Sequence, residues 1–176
     1  MHPRTAALTD LLNRTRADLC EAVRAVPPSV APLRPTPDEW SPAEIVDHLR
    51  VVEGGIVRLL GRLLDQAGPL PPASDEPGRP DAPDPFGMLD RTRRITAPER
   101  VRPSPTPDVA AAFGELEQSR RALHALLART DGRATGRIVA PHPLLGPLAF
   151  EEWVTFVAHH EARHTAQLRD ALARLD

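Results

Sequence analysis

Residues 150–175 read FEEWVTFVAHHEARHTAQLRDALARL, and this stretch decides the fold. Trp153, Val157, His160, His164, Leu168, Ala171 and Leu175 recur at steps of three and four. Such steps keep side chains on one face of an α-helix and on no single face of a strand. A helix of that length must bury its apolar stripe against other helices. Two histidines lie one turn apart inside that stripe, so they point where the core is expected.

Three more segments carry the same period. The first spans about residues 4–26, with Leu8, Leu11, Leu12, Leu19, Ala22, Val23 and Val26 in one stripe, and Pro27 and Pro28 end it. The second spans about residues 42–67, with Ile45, Leu49, Val52, Ile56, Leu60 and Leu63 inward. Its start is strongly signalled: Ser41 suits the N-cap, Pro42 the first helical position, and Glu44 completes a capping box. Gly54 and Gly55 weaken its middle by about 1 kcal/mol each and suggest a close helix contact. The third spans about residues 107–129, with Thr106 as its cap and Val109, Phe113, Leu116, Leu123, Leu126 and Leu127 inward. No stretch alternates convincingly as a strand, residues 138–140 being too short. The expectation is an all-α four-helix bundle forming a single domain over residues 1–176.

Between helices two and three runs a Pro-, Gly- and Asp-rich connector, residues 68–106, in which Phe86, Met88 and Leu89 could pack as a short turn of helix. A connector this long is uncommon in a compact domain. It can run the length of a bundle, so that helices two and three need not be antiparallel neighbours.

Composition bounds the function. The chain has 176 residues and a formal charge of −2, without the basic field that nucleic-acid binding needs. All 22 basic residues are arginine. No apolar run could span a membrane, and residues 1–10 lack the apolar stretch of a secretory signal. The single cysteine, Cys20, cannot form an internal disulfide and reads as a packing residue in an amphipathic stretch. A cytoplasmic protein is the expectation.

The histidines carry the chemistry. His160 and His164, at i and i+4, have the spacing of paired metal ligands on a helix. His48 lies three residues after Ile45 and four before Val52, on the apolar face of helix two. One inward histidine is more often a hydrogen-bonded core residue than a ligand. Three of them leave several polar nitrogens needing partners in a dry core, and one metal ion satisfies three together. The other histidines are poorly placed for ligation: His159 is rotated about 100° from His160 toward the helix edge, His124 is off its stripe, His142 is in a loop and His2 in a tail. Behind the ligands, Gln167 shares the face of His164, Arg163 and Glu161 flank the pair but read more naturally as solvated, and Glu53 is a poor angular match to His48. Trp40 either covers the site mouth or packs a bundle end. Three neutral imidazoles leave an open coordination position. There a water or a thiolate could become the nucleophile, so hydrolysis, thiol transfer and binding without catalysis all remain open.

Trp40-Ser41-Pro42-Ala43-Glu44-Ile45-Val46-Asp47-His48-Leu49 resembles the first signature of the DinB-like (YfiT-like) superfamily. His142-Pro143-Leu144-Leu145-Gly146-Pro147-Leu148, then Trp153, Phe156 and His160-Glu161-Ala162-Arg163-His164-Thr165-Ala166-Gln167-Leu168, resembles the second. The resemblance implies an up-down-down-up bundle, often a homodimer. It implies a metal triad formed by one histidine of helix two and an HxxxH pair of helix four, here His48, His160 and His164. Zinc is the expected ion, with nickel, manganese or iron as alternatives. Members of the family include thiol S-transferases that use bacillithiol or mycothiol. A thiol transferase acting on electrophilic small molecules is therefore the first functional expectation and a metal-dependent hydrolase the second.

Overall fold

The computed structural model describes residues 1–73, 84–92 and 96–175. Four helices carry the architecture: α1 (Pro3–Arg24), α2 (Pro42–Ala67), α3 (Val109–Arg129) and α4 (Phe150–Ala173). Among the described residues, no helix is long and apolar enough to cross a membrane.

The helix starts follow local chemistry. Ser41 Oγ accepts the Glu44 N–H at 3.2 Å and the Glu44 carboxylate accepts the Ser41 N–H at 2.8 Å, so the capping box forms as its sequence predicts. Arg34 pairs with the same carboxylate. Helix α3 is capped by Asp108, whose carboxylate accepts the Ala111 N–H at 2.7 Å, and not by Thr106. At the first helix His2 is itself the cap, its Nδ1 accepting the Arg4 N–H at 3.3 Å, so it is more than a tail residue. Gly55 meets nothing within 4 Å, so no close contact explains that glycine.

Two apolar layers stack along the bundle. One joins Leu8, Leu12, Ile56, Leu60, Leu123, Leu127, Phe150 and Val154. The other joins Leu19, Ile45, Leu49, Ala112, Leu116 and Leu168. Every helix passes from one layer to the other through a buried charged residue: Arg16 of α1, Glu53 of α2, Arg120 of α3 and Glu161 of α4. Arg120 donates to both oxygens of Glu53 at 3.0 Å, to Glu161 at 3.1 Å and to the Leu12 carbonyl at 2.7 Å. Arg16 reaches Glu53 at 2.9 Å and Glu161 at 2.8 Å, and the Thr15 hydroxyl donates to Glu161 at 2.8 Å. Glu161 and Glu53 are thus members of a buried ionic layer, against the expectation of a solvated Glu161.

The segment after α3 also departs from the all-loop expectation. Val139–His142 (β1) and Gly146–Ala149 (β2) form an antiparallel hairpin, with Pro141 opposite Pro147. The two prolines lack N–H donors, which a two-stranded ribbon tolerates and a larger sheet would not. Gly146, at φ 79°, closes the three-residue turn in a conformation that favours glycine. The Trp153 indole donates to the Ala140 carbonyl at 3.3 Å and ties the hairpin to α4.

Parts of the connector pack tightly. Asp84 accepts the N–H groups of Met88 and Leu89 at 2.7 and 2.8 Å, forming a turn rather than a helix. Met88 is buried and Phe86 packs against the core, whereas Leu89 is exposed. A 3₁₀ turn, η1 (Glu99–Val101), lies against α2. Residues 74–83 and 93–95 of the connector fall outside the described residues.

Candidate metal centre

Helix periodicity brings His48 of α2 face to face with His160 and His164 of α4. One ring nitrogen from each lies within 4.8 Å of the others. His48 Nε2 and His160 Nε2 are 3.2 Å apart. Two nitrogens bound tetrahedrally to one zinc ion at about 2.0–2.1 Å stand about 3.3 Å apart, so this pair already has the spacing a shared ion imposes. The His164 ring is 4.7 Å from His48 and 4.5 Å from His160, centre to centre.

Hydrogen bonds behind the rings select the tautomers. The His48 Nδ1–H donates to the Val101 carbonyl at 2.7 Å, which leaves the Nε2 lone pair facing the cluster. The His164 Nδ1–H donates to Gln167 Oε1 at 2.7 Å, with the same result. A carbonyl or amide oxygen behind a ligating imidazole fixes its orientation and raises its basicity. Gln167 takes the place its spacing predicts, whereas nothing in the sequence pointed to Val101.

Burial makes the rings ready for a cation. His48 is 3% exposed and His160 and His164 are each 8% exposed. Burial holds all three below the ordinary imidazole pKa, His164 at about 3 and His160 well below the usual value, with the neighbouring histidines adding to the effect for those two. Three buried imidazoles whose ring nitrogens converge are a cluster capable of coordinating a metal ion, and the donor set fits zinc and its divalent neighbours.

The surroundings of the rings combine expected and unexpected contacts. Of the two places open to it by sequence, Trp40 takes the one over the cluster, its ring 4.7 Å from His48 and 6.2 Å from His164. His159 is buried rather than exposed, because Phe86 of the connector packs 6.5 Å from its ring. His142 sits on β1, 4.6 Å from Phe156, which in turn stacks on His160 at 5.3 Å. It lies near the cluster but outside it. Arg163 donates to the Met88 and Asp90 carbonyls, both at 2.8 Å, and so binds the connector rather than solvent. Cys20 is half-buried, and burial, with Glu117 nearby, pushes its thiol up, away from nucleophilic readiness at neutral pH.

The sequence model of the DinB superfamily matches residues 11–168. The YuaE protein of Bacillus subtilis (strain 168) is 23% identical over 167 residues, which cover 94% of this chain and 98% of that protein. The crystal structure of TT2238, described as a four-helix bundle protein, aligns at a TM-score of 0.62 and 19% identity over 94% of this chain and 98% of that one. At that identity the structural likeness concerns the fold alone.

Proposed function

The chain belongs to the DinB superfamily, and on that premise we propose that it binds one divalent metal ion, zinc before nickel, manganese or iron, through His48, His160 and His164. We propose further that it uses the ion to transfer a low-molecular-weight thiol, such as bacillithiol or mycothiol, to an electrophilic small molecule. The observation that carries the reading is the convergence of three buried imidazoles. Two of them have Nδ1–H groups committed elsewhere, so that their Nε2 lone pairs have no proton and face one point.

A bound divalent ion would supply a Lewis acid that turns a thiol into a thiolate, or a water into a hydroxide, at neutral pH. The residues of the chain do the rest. Val101 and Gln167 hold the ring planes, and Trp40 with Phe156 keeps water from the cluster. Hydrolysis is the alternative on the same donor set. The covering of the rings favours a further reading, a bundle that holds its ion without catalysis.

The helix order reads as up-down-down-up with the connector as crossover. Supporting this, Arg50 and Asp65 of α2 pair with Glu115 and Arg129 of α3, and Thr15 and Glu21 of α1 pair with Glu161 and Arg169 of α4, each in ascending order. We take residues 1–176 as one domain, expected to be cytoplasmic and to assemble as a homodimer.

The test of function incubates zinc-loaded protein with bacillithiol or mycothiol and a panel of epoxides and alkyl halides, with conjugates read by mass spectrometry. Thiol conjugates that form with the wild type and not with His160→Ala support transfer. Hydrolysed electrophile without thiol adduct supports the hydrolase, and no turnover of any electrophile defeats both enzymatic readings.

A further inference from the structure

Asp47, next to the ligand candidate His48, is buried and acts on the connector. Its Oδ2 accepts the Ser104 N–H at 2.7 Å, and its Oδ1 accepts Arg50 Nε at 2.7 Å. Arg50 in turn reaches Glu115 of α3 at 3.0 Å. Three residues before Ser104, the Val101 carbonyl takes the Nδ1–H of His48. The stretch of connector from Pro98 to Ser104 is folded by its own hydrogen bonds, Val101 N–H to the Pro98 carbonyl at 3.0 Å and Arg102 N–H to the Glu99 carbonyl at 3.1 Å. It also contains Pro98 and Pro103 and is followed by Pro105 and Pro107, so little conformational freedom remains to be lost on docking.

We infer that Asp47 is a positioning residue of the metal centre: by holding Ser104 it docks the Glu99–Ser104 segment on α2, and the docked Val101 carbonyl fixes His48 with Nε2 toward the ion. The inference rests on the proposed metal site and assigns part of that site to the connector. A neutral imidazole can carry its proton on either nitrogen. Only a fixed acceptor at Nδ1 keeps Nε2 bare, and a carbonyl on an undocked loop cannot serve. The chain of contacts Glu115–Arg50–Asp47–Ser104 thus runs from α3 to the backbone of the segment that orients a ligand of α2. A bound cation makes the Nδ1–H a stronger donor, so metal binding and docking of the segment favour each other, by the same factor in either direction.

The test uses the full chain with cobalt(II) and zinc(II). Amide hydrogen exchange across residues 96–106 is followed with zinc and with a chelator, and cobalt affinity and its visible spectrum are measured for wild type, Asp47→Ala, Asp47→Asn and Ser104→Pro. Zinc is expected to slow exchange at Val101, Arg102 and Ser104. Asp47→Ala is expected to bind cobalt about tenfold or more weaker, with an altered spectrum, as loss of a group behind a ligand does. Asp47→Asn keeps an acceptor for the Ser104 N–H and is expected to retain most of the affinity. Ser104→Pro deletes that N–H without touching α2, so it reports even if Asp47→Ala fails to fold, and it should weaken cobalt binding as Asp47→Ala does. Wild type that binds no stoichiometric metal would sink the metal reading itself. Wild type that binds metal, with unchanged affinity and spectrum in Ser104→Pro or no effect of zinc on exchange, would overturn the role of Asp47 alone.

Discussion

Replacing Arg120 by methionine tests the ionic layer that joins the two apolar cores. Arg120 is 4% exposed and makes four hydrogen bonds, three of them to the carboxylates of Glu53 and Glu161. Without it, two buried carboxylates share the single guanidinium of Arg16, which is also bonded to a third carboxylate, that of Glu117. Removing one partner of a buried ion pair costs about 3–5 kcal/mol, because the other charge stays buried. At about 2–4 °C per kcal/mol for a chain of this size, the melting temperature should fall by about 6–20 °C. The double variant Glu53→Met/Arg120→Met leaves Arg16, Glu161 and Thr15 bonded to one another and restores the charge balance. It should therefore lose much less than the sum of its singles, with a coupling of about 2 kcal/mol or more. Burial already pushes the Glu53 carboxyl up against the pull of Arg120, so the loss in Arg120→Met should shrink as the pH falls and a carboxylate takes a proton. Urea unfolding followed by circular dichroism measures the wild type, Arg120→Met, Glu53→Met and the double variant. Additive singles, or a loss below about 1 kcal/mol for Arg120→Met, would refute the view that these charges depend on one another.

Other outcomes follow from the same structure. His48, His160 and His164 have folded-state pKa values below the ordinary 6.5, His164 at about 3. The unfolded chain therefore binds more protons between 6.5 and those values. The stability of metal-free protein should be complete above about pH 6.5 and drain as the pH falls, by up to about 1.4 kcal/mol per pH unit for each histidine. A denaturation midpoint that stays flat from pH 7 to 5.5 would count against buried neutral rings. Gly55→Ala should stabilise the protein by about 0.5–1 kcal/mol, since the site is helical and open, and a lower melting temperature would contradict that. His142→Ala should keep full metal stoichiometry by elemental analysis, because its ring packs on Trp153 and Phe156 and stands outside the cluster of three histidines.

Much of this structure was legible because helix periodicity and capping are local. The capping box at Ser41, the inward stripe of α4 and the shared face of His160 and His164 are each set within a few residues. The ionic layer left a signal that periodicity by itself carries: Arg16, Glu53, Arg120 and Glu161 each stand at steps of three or four from buried apolar residues, as Leu116, Arg120 and Leu123 illustrate. A charge in such a place reads as solvated until its partners on other helices are known. The hairpin was hidden because Pro141 and Pro147 break the strand pattern and the pairing depends on Gly146 and the anchor to Trp153. Neither the Val101 carbonyl behind His48 nor the Phe86 ring over His159 could be read from sequence, since both come from a connector without periodicity.

Everything proposed for the site depends on three histidines from two helices holding one metal ion. X-ray absorption spectroscopy of the purified zinc-loaded protein, with elemental analysis of the same sample, tests that arrangement most directly. One zinc per chain is expected, with three imidazole nitrogens at about 2.0–2.1 Å. Loss of that zinc is expected in His164→Ala, because the remaining pair comes from two separate helices. Substoichiometric metal in the wild type, or an unchanged imidazole signature in His164→Ala, would contradict the arrangement.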